Sequence, residues 1–139
     1  MYSNLVAKRS VLVEVPLGTI AAGRSVNFED VPDISRKNIK LYAIESFSAA
    51  QLAISPKGRT VIPANAAPSL AFTLVQNSTE QRIFNMPYFN TIRANNAGWI
   101  MLLDGLEVTI TKCQVNILTA SNLTNDQTAL FNLYYDYIA

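Results

Sequence analysis

Histidine is absent from this chain of 139 residues. Histidine is the usual general base, a common zinc ligand and the usual partner of a serine or cysteine nucleophile, so the commonest catalytic arrangements are missing. A pair of carboxylates could still act together, as in glycoside cleavage. Asp104 and Glu107 are such a pair in sequence, but they flank a predicted tight turn and are expected to help set it. The composition therefore predicts a protein that is not an enzyme.

Sites for metals and cofactors are equally scarce. Phosphate-cradling loops need a glycine pattern followed by a helix, and neither glycine-containing turn near Gly18 or Gly58 has it. Glu29, Asp30 and Asp33 form an acidic cluster that could hold calcium, but its spacing fits no established calcium loop. We therefore predict no metal and no cofactor.

Cysteine and charged residues are also scarce. Cys113 is the only cysteine, which excludes an internal disulfide. Its place in an alternating strand predicts a small buried side chain instead of a reactive thiol. Charged residues make up 15% of the chain and the net charge is +1. This weak charge argues against specific nucleic-acid binding, which needs clustered Lys and Arg, and a sparsely charged surface suits a protein that is packed against others.

Long apolar runs are missing as well. No stretch approaches the roughly 18 apolar residues of a membrane-spanning helix, and the first ten residues lack the apolar core of a signal peptide. Synthesis in a cytoplasm is therefore expected. Residues 1–9 are predicted to form an N-terminal arm with Lys8 and Arg9 as its only charges, and residues 10–139 a single domain. The arm is either a frayed terminus or a segment that orders against a neighbouring subunit.

Alternation of apolar and polar residues is what the chain has in abundance. Around residues 98–118, an apolar run is followed by Asp104 and Gly105, which predict a type I′ hairpin turn because both central positions need positive φ. A long alternating strand follows. Its phase inverts at Lys112 and Cys113, which indicates a bulge or a strand that serves two surfaces in succession.

The same pattern recurs along the chain and predicts an all-β protein. About eight strands fit a single antiparallel β-sandwich with a jelly-roll-like arrangement. One short helix is predicted from Pro87, since proline suits the first helical position. The predicted strands span residues 11–15, 39–47, 51–55, 70–76, 81–85, 99–103, 106–118 and 129–138.

Few side chains are candidates for contact with a partner. In the last predicted strand Tyr134 points away from the apolar face that holds Tyr135 and Tyr137, so it either contacts a partner or is an ordinary surface tyrosine. Arg93 either contacts a neighbouring subunit or is exposed to solvent. Lys8 and Arg9 in the arm complete the candidate contact residues.

Three segments carry a resemblance to a known family: SPKGRT (55–60), PYFNTIR (87–93) and NNAGWI (95–100). With them the chain resembles small jelly-roll virion proteins, the capsid and vertex proteins of tailless bacteriophages, including icosahedral phages with an internal membrane. The resemblance implies a structural protein of the virion that contacts itself as a homo-oligomer and other capsid proteins, in the proximity of an internal viral membrane. Because the chain is shorter than double-barrel major capsid proteins, the resemblance implies a vertex, minor capsid or cement subunit.

A carbohydrate- or surface-binding module of a fibre or adhesin is the alternative function. It requires exposed, coplanar aromatic rings on one face of the sandwich. The virion role instead predicts that Tyr134, the arm and the apolar loops are covered by neighbouring subunits.

Overall fold

The computed structural model describes residues 9–28, 31, 38–75, 83–87, 94–95 and 98–137. In these residues the chain forms two antiparallel sheets, of strand order β1-β9-β3-β7-β6 and β2-β8-β4-β5. The predicted all-β, antiparallel sandwich is therefore confirmed. Its strands are β1 (Arg9–Pro16), β2 (Ser25–Asn27), β3 (Asn38–Phe47), β4 (Leu70–Val75), β5 (Ile83–Pro87), β6 (Ala94–Asn95), β7 (Gly98–Thr109), β8 (Gln114–Ile117) and β9 (Thr128–Tyr137).

Strand pairing is nested from the ends of the chain inward. β1 pairs with β9, β2 with β8, β3 with β7, and β4 with β5, in every case antiparallel. Two further pairings, β9 with β3 and β8 with β4, join these strand pairs into sheets. The chain is thus one long antiparallel ribbon that wraps over itself, so that successive pairs alternate between the two sheets.

The inner faces of both sheets form one apolar core. Three phenylalanine rings connect the layers: Phe131 of β9 lies 5.0 Å from both Phe28 and Phe72 of β4, measured between ring centroids. These rings meet edge to face or tilted, the arrangements that aromatic pairs favour. Alternating apolar residues of β1, β4 and β9 are buried in this core: Val13, Val15, Leu70, Phe72, Leu74, Phe131, Leu133 and Tyr135.

The predicted hairpin turn at Asp104 and Gly105 is wrong. β7 runs through both residues as one strand and pairs with β3 on either side of them. Register passes from Leu102 opposite Ala43 to Leu106 opposite Leu41, so three residues of β7 face Tyr42 alone. Gly105 does have a positive φ, 67°. The glycine therefore supplies a β-bulge, which also needs this conformation, in place of a turn.

The same irregularity corrects the predicted faces of β3. Strict alternation along the predicted strand 39–47 puts Leu41 and Ile44 on opposite sides, yet both are in the core. Register against β9 shifts between Leu41 and Ala43, which leaves Tyr42 as the extra residue. One extra residue inverts the phase of everything beyond it, so Ile44 returns to the inside.

The predicted inversion at Lys112 and Cys113 is confirmed as a crossing between sheets. A 3-10 turn, Ile110–Lys112, follows β7 of the five-stranded sheet and precedes β8 of the four-stranded sheet. The predicted strand 106–118 is therefore two strands that serve two surfaces in succession. Cys113 is fully buried beside the turn, as its position predicted.

Three smaller differences complete the comparison. Predicted strand 51–55 is reduced to an isolated bridge between Ile54 and Thr60. β2 was not predicted, because its three residues have no apolar alternation of their own. Pro87 ends β5 instead of starting a helix, and the rest of that predicted helix lies outside the described residues.

Candidate functional site: two surfaces of the sandwich

The first surface is the outer face of the four-stranded sheet. None of its strands, β2, β4, β5 and β8, contains an acidic or basic residue. Inward positions of these strands carry core residues, so the residues between them point outward. We call the outward polar residues of three adjacent strands the amide face: Ser25, Asn27, Thr73, Gln114 and Asn116.

Side chains of the amide face are hydrogen-bonded across the strands. The Gln114 amide donates to Asn27 Oδ1 at 3.2 Å, and the Asn116 amide donates to Ser25 Oγ at 2.8 Å. The Thr73 hydroxyl donates to Asn116 Oδ1. A surface whose polar groups are uncharged and already paired loses less hydration energy when covered than a charged surface does. The geometry therefore suits contact with another molecule.

The five-stranded sheet differs, because its outer face holds carboxylates. Glu14 of β1 is only 5% exposed. It accepts hydrogen bonds from Ser55 Oγ at 2.6 Å and from the Arg59 guanidinium at 3.2 Å. The tight turn between Ser55 and Arg59, closed by a bond from Ser55 N to Arg59 O at 2.8 Å, thus lies over β1. A loop covers this part of the sheet and neutralises its charge.

Glu45 of β3 is the second buried carboxylate on that face. It accepts hydrogen bonds from the Tyr134 hydroxyl at 2.6 Å and from the Asn132 amide at 3.4 Å. Tyr134 does point away from the buried Tyr135, as predicted, but it is half-buried and its hydroxyl bonds within the chain. Contact between Tyr134 and a partner stays a prediction.

Of the other predicted contact residues, Arg9 is the one that the structure describes. Arg9 is the first residue of β1, where its guanidinium lies 4.6 Å from the centroid of the Tyr137 ring and its Nε lies 3.9 Å from Asp136 Oδ1. Register sets Arg9 opposite Tyr135 and Ser10 opposite Tyr134, so Arg9 and Tyr134 share one end of the sheet. Lys8 and Arg93 lie outside the described residues.

The second surface is the outer edge of β1, which is the terminal strand of its sheet. Leu17 N donates to Gln127 O at 2.9 Å at the end of the β1–β9 ladder. Hydrogen-bonded pairs repeat every two residues in an antiparallel ladder. Odd-numbered residues of β1 therefore bond to β9, and the even-numbered Ser10, Leu12 and Glu14 direct their N–H and C=O groups away from the sheet. Leu12 is 41% exposed there.

Sequence reasoning missed both surfaces. Alternation shows which side chains of β1 face outward, but no local signal shows that the strand lies at an edge. The amide face depends on β2, whose pairing with β8 is the only reason it is a strand. The sequence signal was the lack of charged residues in β2, β4, β5 and β8, but only the strand pairing shows that these strands are neighbours.

Potential metal ligands do not cluster in the part of the chain that the structure describes. No three His, Cys, Asp or Glu side chains there come together as a metal site. Burial raises the pKa of the Cys113 thiol to about 11, so this thiol is protonated at neutral pH. Within the same residues, no helix is both long and apolar enough to span a membrane.

Comparison with known proteins adds no relative: no family model, no curated protein and no solved structure matches the chain. The two surfaces and the strand topology are therefore what bears on function.

Proposed function

We propose that this chain is a structural subunit that works by being packed into a larger protein assembly. The observation that carries the proposal is the amide face, which lies on a sheet whose four strands contain no charged residue. Proteins that act alone in solution usually have mixed charges over their surface. A sheet whose strands carry no charge is therefore expected where another molecule covers its outer face.

Energetics support the same function. Isolated charges cost several kcal/mol each to bury in an interface, whereas hydrogen-bonded amides and hydroxyls cost far less. Charged residues of the described strands are concentrated in the other sheet, where Glu14 is already paired with Arg59. Subunit contact through the amide face therefore needs no charge to be stripped of water.

We infer a jelly roll from the nested strand pairing. This fold indicates which kinds of protein the chain resembles. Jelly rolls, in which one antiparallel ribbon wraps into two packed sheets, occur in viral capsid domains and in lectins. Together with the resemblance of the sequence to small virion proteins, this supports a vertex, minor capsid or cement subunit. Such a subunit would be made in the host cytoplasm and would contact itself and other capsid proteins, near an internal membrane where the virion has one.

Carbohydrate binding is the second candidate function, since amide and hydroxyl groups also recognise sugar hydroxyls. Sugars usually stack on a platform of aromatic rings. Among the side chains that the structure describes, the large exposed hydrophobic ones are all aliphatic. No described position of the amide face is aromatic. The assembly function is therefore favoured.

Light scattering of the purified chain over a range of concentrations tests the proposal. We expect a mass of several subunits for the wild type. Gln114→Lys places a charge in the centre of the amide face and should weaken association at least tenfold. Ala50→Lys, at an exposed turn outside that face, is the matched control and should leave the mass unchanged.

A strict monomer at every concentration that binds to a glycan array would contradict the assembly function and favour carbohydrate binding. Equal effects of Gln114→Lys and Ala50→Lys would show that assembly does not use the amide face.

A further inference from the structure

We infer that residues 53–61 form a strap over the outer face of the five-stranded sheet, which ionised Glu14 holds closed and which opens when this carboxyl takes up a proton. The strap is a short hairpin, whose open end is joined by a bond from Val61 N to Ala53 O at 3.0 Å. The inference goes beyond the proposed function and does not depend on the amide face, which lies on the other sheet.

The strap crosses the outer face of β9 from one side to the other. Near its open end, Thr128 of β9 donates to Thr60 O at 2.9 Å and accepts from Ile62 N at 3.2 Å. These bonds lie on the β3 side of β9, because β1 bonds to the odd-numbered residues of β9. At the turn of the strap, Ser55 bonds to Glu14 of β1, on the opposite side of β9. The hairpin therefore passes over β9 between these two points.

Leu130 is the β9 side chain at this crossing. It lies opposite Glu14 and next to Phe131, whose ring packs in the core between the sheets, so Leu130 points outward. An outward leucine is exposed unless another segment lies over it, and Leu130 is 0% exposed. The strap is the segment that crosses β9 here, so its opening would expose apolar surface.

The Glu14 carboxylate ties the turn of the strap to β1. Its Oε1 atom accepts hydrogen bonds from Ser55 Oγ at 2.6 Å and from the Arg59 guanidinium at 3.2 Å. Arg59 N in turn donates to Ser55 Oγ at 3.0 Å. Hydrogen bonds to an ionised carboxylate are stronger than those to a neutral group. Ionisation of Glu14 therefore favours the closed strap, and protonation favours the open one.

The strands around Glu14 contribute no charge to this contact. The residue opposite it on β9 is Leu130. Its neighbours on the same face of β1 are Leu12 and Pro16, which are also uncharged. The strength of the contact is therefore set between Glu14 and the strap.

Charged groups of the strap and of β3 complete the surroundings. Arg59 bonds to Glu14, and Lys57 is at the exposed turn of the strap. Glu45, the other buried carboxylate of this face, is on β3, two strands away from β1, and accepts a bond from the Tyr134 hydroxyl. Because Glu45 also titrates in acid, the test must separate its effect from that of Glu14.

Amide hydrogen exchange in NMR, expressed as protection relative to the unfolded chain at the same pH, tests the inference. Ser55 N and Gly58 N bond only within the turn of the strap, and so short a hairpin is not stable by itself. Ile62 N, bonded to Thr128 O, reports on the open end. From pH 7 to about pH 3, where glutamate carboxyls take up a proton, we expect the protection of the two turn amides to fall roughly tenfold or more and that of Ile62 to persist.

Two variants assign this response to the Glu14 contact. Glu14→Gln is a neutral side chain of the same shape and should leave the turn amides weakly protected at both pH values. Arg59→Met removes the other half of the ion pair and should do the same. Glu107→Gln is the matched control, since Glu107 is a half-buried carboxylate on β7 of the same sheet. It should keep the wild-type response to pH.

Three results would overturn the inference. The turn amides of the wild type could keep their protection in acid, or lose it only together with the amides of the central strand β3, which would mean unfolding of the whole chain. Glu14→Gln could show the same fall as the wild type, which would assign the response to another group such as Glu45. If Glu14→Gln does not fold, Arg59→Met decides by the same criterion.

Discussion

Glu14 shows at the scale of a residue how a charge can be buried on the outer side of a sheet. Alternation with Val13 and Val15 predicts an outward side chain, and the structure places it outward. It is buried because Ser55 and Arg59 come over it from a distant turn. A buried carboxylate must be paired or hydrogen-bonded, so this contact fixes the turn to β1.

Cys113 gives a prediction about pH. Burial raises the pKa of its thiol from 9.0 to about 11 in the folded chain. Above pH 9 the unfolded chain loses this proton while the folded chain keeps it, so the thiol's contribution to stability is complete below pH 9 and is lost as pH rises toward 11. At about 1.4 kcal/mol per pKa unit, the loss is roughly 2–3 kcal/mol.

Urea unfolding of the wild type and of Cys113→Ala at several pH values measures this loss. Tyrosines and lysines also titrate in the range, but they are common to both proteins and cancel in the difference. We expect the stability of the wild type relative to Cys113→Ala to fall between pH 9 and 11. A difference that does not change with pH would contradict the assignment.

At the scale of an element, Gly105 and Tyr42 determine how β3 and β7 fit. Gly105 has a φ of 67°, and a Cβ atom there would lie 3.3 Å from the Tyr42 ring. Gly105→Ala therefore combines an unfavourable backbone conformation with a steric contact, and we expect a loss of about 1–3 kcal/mol in the free energy of unfolding. Chemical denaturation measures it.

Gly23→Ala is the matched control. Gly23 has a φ of 85°, but a Cβ atom there would meet nothing within 4 Å. This variant should lose only the backbone part, about 1 kcal/mol. If Gly23→Ala were as destabilising as Gly105→Ala, the contact with Tyr42 would have no energetic role.

These elements also show what the sequence can predict. Strict alternation identified β1, β4 and β9 and their buried faces, because burial on one side requires a period of two. Asp104 and Gly105 correctly indicated positive φ at the glycine. Whether such a residue makes a turn or a bulge depends on the strand opposite, and Tyr42 of β3 is remote in sequence. The wrong faces predicted for β3 and the wrong turn predicted in β7 therefore have one cause, the bulge between these two strands.

The candidate surfaces were less predictable for the same reason. Outward positions such as Gln114 and Asn116 follow from the alternation of β8, but their neighbours Asn27 and Thr73 come from distant strands. The outer edge of β1 is defined by which strand does not pair with it. Local patterns contain neither kind of information.

At the scale of the molecule, the first described strand depends on the last. β9 pairs with β1 on one side and with β3 on the other. A chain that stops before Thr128 would leave β1 without its partner strand, remove one of the two partners of β3 and open the core at Phe131, so we expect it to be unfolded. Dispersion of amide proton signals in NMR measures this.

Adding a peptide of residues 128–137 to the truncated chain should restore the dispersed spectrum, since the missing strand makes its contacts without a covalent link. The full-length chain under the same conditions is the reference. A truncated chain that gives a dispersed spectrum on its own would show that β9 is not needed for folding.

The turn over β1 has a consequence for engineering. Its tip, residues 56–58, is exposed, while its base is held by Ser55 and Arg59 on Glu14. Extra residues inserted at an exposed tip leave the backbone bonds of its base in place. The tip is therefore a natural position for grafting a foreign epitope, which the anchored base would present outward from the sandwich.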